Sequence, residues 1–133
     1  MAQHSTKTVL SRILFAGYIL ALCLICFVSA DSIPDIQKTI FGIPTDKVIH
    51  FTMFAPFAFL TYLSFDHPAK KGWNSVLFFL LSLVAGCLVA FATEVVQSYL
   101  PSRAMDIKDF YADSLALVST GLFVLIIDLT HKK

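Results

Sequence analysis

Three stretches of this chain run the length of a membrane crossing with almost no charge. Residues 13–30 (ILFAGYILALCLICFVSA) and 75–93 (SVLFFLLSLVAGCLVAFAT) carry none, and 48–65 (VIHFTMFAPFAFLTYLSF) has His50 as its one basic or acidic side chain. A fourth stretch, 114–127 (SLALVSTGLFVLII), is long enough only if its helix begins near Phe110 and takes Asp113 in with it. A spanning helix needs about 20 residues. In hydrocarbon it is the one open-chain form that satisfies its own backbone groups. The pattern therefore predicts an all-α, polytopic membrane protein: four transmembrane helices in a compact bundle, over about 9–30, 47–65, 74–99 and 109–129, within a single domain spanning 1–133. Composition agrees. The 133 residues are 57% hydrophobic and only 14% charged, where a soluble domain has about 25% charged. A soluble fold this small has too much surface to hide so much apolar side chain.

Several functions are excluded or left open by the same reading. A net charge of +1 without a basic stripe argues against nucleic acid as a partner. Cys23 and Cys26 form a C-x-x-C, but inside an apolar run, where the electropositive setting of a redox dithiol is missing. The first run has two readings. Lys7 and Arg12 ahead of it and Val28-Ser29-Ala30 at its end fit a cleaved signal peptide, whereas an apolar stretch longer than the usual 7–15 residues or so fits a retained anchor. With four spans, Lys7, Arg12, Lys70, Lys71, Lys132 and Lys133 share one side, against Lys38, Lys47, Arg103 and Lys108 on the other. The excess of Lys and Arg predicts cytoplasmic termini, with loops 31–47 and 99–109 outside.

Charge is gathered where the third and fourth runs are joined. TEVVQSYLPSRAMDIKDFYAD, residues 93–113, holds Glu94, Arg103, Asp106, Lys108, Asp109 and Asp113. Asp46, Lys47 and His50 open the second helix on the same side of the membrane. Asp46 and His50 are one turn apart, as are Glu94 and Gln97, and Asp106, Asp109 and Asp113 fall on one face of a helix that starts early enough. Asp46, Lys47, His50, Glu94, Gln97, Arg103, Asp106, Asp109 and Asp113 are thus candidates for one polar pocket at the outer interface. Glu94 and Asp113 carry the argument, because an unpaired charge at the edge of hydrocarbon costs several kcal/mol. Each is expected to face the bundle interior and pair, with Arg103 or Lys47 as partner. Small residues support such packing: Ser82, Gly86 and Ala90 recur every four residues and lead to Glu94, and Ala112, Ala116 and Thr120 repeat the pattern. Pro56 lies mid-span in the second helix and is expected to kink it.

Taken in order, DKVIHF at 46–51 followed by Glu94, Gln97, Arg103, Asp109 and Asp113 resembles the VanZ-like family of small bacterial membrane proteins, over about residues 31–127. The chain departs from the family's pattern at Asp113, where Asn is frequent, and at Ala116 and Thr120, where glycines are frequent. The family takes its name from a member linked to tolerance of the glycopeptide teicoplanin. What the resemblance implies is an envelope membrane protein without an assigned activity.

Three functions follow from the residues. A binding or accessory protein of the envelope would use Arg103 and Lys47 to hold an anionic lipid or lipid-carrier head group, since an arginine fork matches phosphate oxygens. An enzyme would use Glu94, Asp109, Asp113 and His50 as acid–base groups or ligands of a divalent ion, although no H-E-x-x-H, nucleophile elbow or P-loop is present. A transporter or proton relay would need charge nearer the bilayer centre. No cofactor and no metal motif are expected, catalytic residues are unassigned, and membrane lipids are the expected partners, with an oligomer left open but not indicated.

Overall fold

The structure is a computed structural model that describes residues 2–28, 38–65 and 72–131. Within them the chain forms α1 (Ala2–Phe27), a two-stranded antiparallel ribbon β1 (Thr39–Ile40) and β2 (Ile43–Pro44), then α2 (Thr45–Ser64), α3 (Gly72–Ser98) and α4 (Ile107–His131). The structure is all-α with four helices, and α1 begins at Ala2. Ser29 and Ala30 of the alternative cleavage site lie outside the described residues, as do Lys70, Lys71, Lys132 and Lys133.

Three helices are long and apolar enough to cross a membrane: Thr6–Phe27, Asn74–Ser98 and Ile107–His131. The second helix is not among them. Its 20 residues span about 30 Å, so length is not what it lacks. Asp46, Lys47 and His50 at its start, and the hydroxyls of Thr52, Thr61, Tyr62 and Ser64, lower its apolarity. It need not be as greasy as the others, because it is sheltered by protein. His50, Phe54, Phe57, Ala58, Thr61 and Ser64 are all buried along it, and it packs against each of the other three helices. By contrast, α3 turns Leu77, Leu81, Val84, Leu88 and Phe91 outward, three and four residues apart. That stripe suits lipid and would be unstable in water.

The interior is built on the small residues. Ala90 of α3 and Ala116 of α4 are fully buried beside Leu117, Phe54, Phe57, Leu22 and Cys26. At Gly86 the fit is tight enough that an added Cβ would lie 2.6 Å from Leu117 Cδ2 and 3.2 Å from Phe57 Cδ1. Close approach of α3 to α4 thus depends on glycine at this point. α2 continues as one helix through Pro56.

α1 is tied to the far end of α2 by polar contacts that finish the helix. Ser11 Oγ donates to the Leu63 carbonyl (2.8 Å) and Arg12 Nε to the Ser64 carbonyl (3.0 Å), while Ser64 Oγ donates back to the Ser11 carbonyl (2.9 Å). The last carbonyls of a helix have no partner of their own, and α1 supplies two. Tyr18 Oη, midway along, donates to the Met53 carbonyl at 2.6 Å.

At the other end the ribbon leads into α2. Phe41 and Gly42, its two turn residues, both have positive φ, 51° and 78°, as a type I′ hairpin turn needs. The Thr45 amide donates to the Lys38 carbonyl (3.1 Å) and closes the base. Phe41 is wholly exposed at the tip.

Candidate functional site

Four local features bring the polar residues together. Asp106 is the N-cap of α4: its Oδ1 accepts from the Lys108 amide (2.8 Å), so the helix begins at Ile107 rather than further along. This puts Asp109 in the first turn and Asp113 one turn deeper on the same face. Glu94 lies four residues beyond Ala90 on the buried side of α3. Lys47 and His50, one turn apart at the start of α2, then reach the same place from a third helix.

The resulting network has two layers. In the outer one, Lys47 Nζ donates to Asp46 Oδ2 (2.7 Å), to Asp106 Oδ2 (2.9 Å) and, at close range, to Asp109 Oδ1. The Lys47 hydrogen bond, with help from the Lys108 amide, holds the Asp106 carboxyl below the ordinary carboxylate range. In the inner layer, His50 Nδ1 is 3.0 Å from Asp113 Oδ1 and 3.8 Å from Glu94 Oε1, and His50 Nε2 is 3.5 Å from Asp109 Oδ2. Glu94 Oε2 accepts the Asp106 amide at 3.2 Å. Glu94 and Asp113 are both 0% exposed, and among the described residues Glu94 Oε1 and Asp113 Oδ2 have no hydrogen-bond partner. Asp109 belongs to both layers and joins them.

Of the nine residues expected to form one pocket, Asp46, Lys47, His50, Glu94, Asp106, Asp109 and Asp113 are linked directly. Gln97 is buried one turn beyond Glu94. Arg103 is the exception. Its Nε donates to the Val28 carbonyl at the end of α1 (3.3 Å), and it forms no ion pair with Glu94 or Asp113 among the described residues. The expected Glu94–Arg103 pair is therefore corrected. The turn through Leu100, closed by the Arg103 amide on the Leu100 carbonyl (3.1 Å), carries Arg103 to the rim instead. Among the described residues Lys47 pairs with Asp46, Asp106 and Asp109, and not with Glu94. The basic side chain beside both buried acids is His50.

A second buried polar cluster lies outside the candidates read from sequence. Tyr62 Oη donates to Asp128 Oδ1 (2.9 Å) at the opposite end of the bundle. Asp128, Ser75 and Ser82 are buried there around a small recess that Phe79 and Gly121 also line. A signal existed in the sequence. Continuing along α4 from Asp113 through Leu117, Gly121 and Val124, all buried, leads to Asp128.

Chemically, five carboxylates surround two basic side chains. Acidic side chains therefore outnumber basic ones by three. Such a site favours a cation inside, and leaves anion recognition to its rim. The VanZ/LLP1 family model matches residues 15–127. No curated protein and no solved structure matches the chain.

Proposed function

The chain belongs to the VanZ/LLP1 family, and from that premise we propose that it is a binding or accessory protein of the bacterial envelope that holds the polar head of an anionic lipid or lipid carrier at one membrane face. The observation that carries this reading is the convergence of α2, α3 and α4 polar groups at one end of a bundle with an apolar exterior. That end lies at head-group depth if the helices cross a bilayer, with α2 as a fourth, protein-sheltered crossing.

Charge balance divides the labour. Lys47 is already shared among three carboxylates, so it positions the site and does not meet the ligand. Arg103, half-buried at the rim with Nε on the Val28 carbonyl, is the group for phosphate, because a guanidinium presents further donors in a plane. The Lys and Arg distribution supports the inner membrane, cytoplasmic termini and an outward site. Retention of α1 is supported by its contacts with α2 through Ser11, Arg12 and Tyr18. An enzyme reading draws on the His50–Asp113 pair, which resembles a general base and its orienter. Among the described residues, however, no hydroxyl or thiol is hydrogen-bonded to His50.

The test is thermal stability of the purified full chain in a neutral detergent with chelator present, on adding phosphatidylglycerol or phosphatidylcholine. Phosphatidylglycerol should raise the melting temperature and phosphatidylcholine should not, and Arg103→Ala should remove the difference. Equal responses to the two lipids, or an Arg103→Ala protein that still discriminates, would refute the reading.

A further inference from the structure

The excess of carboxylates is not spread evenly. Asp46, Asp106 and Asp109 bring one oxygen each to a common point, and that point is occupied by the Lys47 ammonium. A second group has no such occupant. His50, Glu94 and Asp109 are all buried, and one ligand atom from each lies within 4.8 Å of the others. Lys47 meets this group at Asp109 Oδ1 and Arg103 is engaged at Val28, so among the described residues no Lys or Arg pairs with Glu94.

The hydrogen bonds sharpen the point. His50 Nδ1 lies 3.0 Å from Asp113 Oδ1, and in the tautomer that carries its proton on Nδ1 it donates to that oxygen. The neutral imidazole then presents its Nε2 lone pair to Asp109 Oδ2 at 3.5 Å, two acceptors face to face. Glu94 Oε1, 3.8 Å from the other ring nitrogen, is buried with no hydrogen-bond partner among the described residues. Lone pairs brought together out of water are stabilised by a proton or a cation placed among them.

We propose that His50, through Nε2, together with Glu94 and Asp109 binds one divalent transition-metal ion, with Asp113 fixing the imidazole from behind. The donor set selects the class of ion. Imidazole with carboxylates suits Zn²⁺ or Mn²⁺, whereas Mg²⁺ and Ca²⁺ take oxygen donors. Asp113 is the carboxylate that commonly stands behind a ligating histidine, holding its tautomer and orientation. Three protein ligands leave a coordination position open. The idea that a head-group oxygen fills that position rests on the lipid reading; the metal site itself does not.

The experiment uses the full chain in detergent, stripped with chelator and dialysed, then titrated separately with ZnCl₂, MnCl₂ and MgCl₂ by calorimetry. One saturable site is expected for Zn²⁺ or Mn²⁺ and none of comparable affinity for Mg²⁺. His50→Gln and Glu94→Gln should each weaken it by at least about tenfold, and Asp113→Asn by about 10–100-fold, in line with loss of a group that orients a ligand. His131→Gln, at the other end of the bundle, should leave it unchanged. X-ray absorption of the Zn²⁺-loaded wild-type chain should count one imidazole among oxygen ligands, a readout that survives any folding defect in the variants. No saturable binding of either ion would overturn the proposal and leave a proton on His50 as the charge. Retention of affinity in both His50→Gln and Glu94→Gln, or a metal with several imidazoles or none, would equally overturn it. Because the lipid test is run in chelator, the two ideas fail separately: metal without lipid discrimination removes the head group, and lipid discrimination without metal removes the ion.

Discussion

Replacing Lys47 with Met should cost far more than its place at the end of a helix suggests. Lys47→Met keeps the aliphatic stem and removes the ammonium. Three carboxylates lose a partner, but they do not lose equally. Asp46 is 57% exposed in its side chain, so its pair contributes about 0–1 kcal/mol, the range of surface pairs. Asp109 is only 12% exposed, and stranding a buried charge costs about 3–5 kcal/mol. One feature reduces that figure: Lys47 is itself 17% exposed. The expected loss is therefore about 2–3 kcal/mol, below the fully buried range. The assay is reversible unfolding in mixed micelles with chelator present, so that no metal contributes. A double-mutant cycle separates the partners: Lys47 with Asp109 should couple by roughly 1–3 kcal/mol, and Lys47 with Asp46 by less than about 1 kcal/mol. A Lys47→Met protein as stable as wild type, or equal coupling to both aspartates, would refute the assignment of Asp109 as the buried partner.

Other perturbations probe different parts of the bundle. Gly86→Val should destabilise by about 1–3 kcal/mol in the same assay, because Leu117 and Phe57 are themselves buried and have little room to yield. Tyr62→Phe should cost about 1–2 kcal/mol through the lost hydrogen bond to Asp128, with no change in metal affinity at the other end. In cells, a cysteine placed at Ser102 in a chain lacking Cys23, Cys26 and Cys87 should react with an impermeant thiol reagent from outside; labelling only after permeabilisation would reverse the orientation.

Much of this site could be read before any coordinates. The run Ser82, Gly86, Ala90 identifies the inner face of α3, and following it to Glu94 predicts a buried acid, which Glu94 is. The common side of Asp46, Lys47, His50 and the 93–113 segment follows from counting helices. Which base meets which acid does not follow. Lys47, His50 and Arg103 are all near Glu94 in topology, and the choice among them depends on the rotation of α2 about its axis and the path of a short turn. Those are set by packing, not by local spacing. The Phe41–Gly42 turn is silent in the sequence for another reason: an aromatic residue at positive φ is unfavourable and gives no turn signal of the Asn-Gly kind. Asp128, a single acid at the end of an apolar run, reads as interfacial, although its helical face says otherwise.

The two polar pairings between α2 and α4 act together as a register lock. His50 meets Asp113 near the start of both helices, and Tyr62 meets Asp128 near the end of both. Along α2 the two points are twelve residues, or about 18 Å, apart, and along α4 fifteen residues, or about 22 Å. A one-turn slide of either helix, about 5.4 Å, would separate both pairs at once and leave acids in hydrocarbon at each end. A piston stroke between these two helices is thereby closed to the protein. Whatever conformational freedom its work requires must come from α1 or α3 moving against a fixed α2–α4 spine.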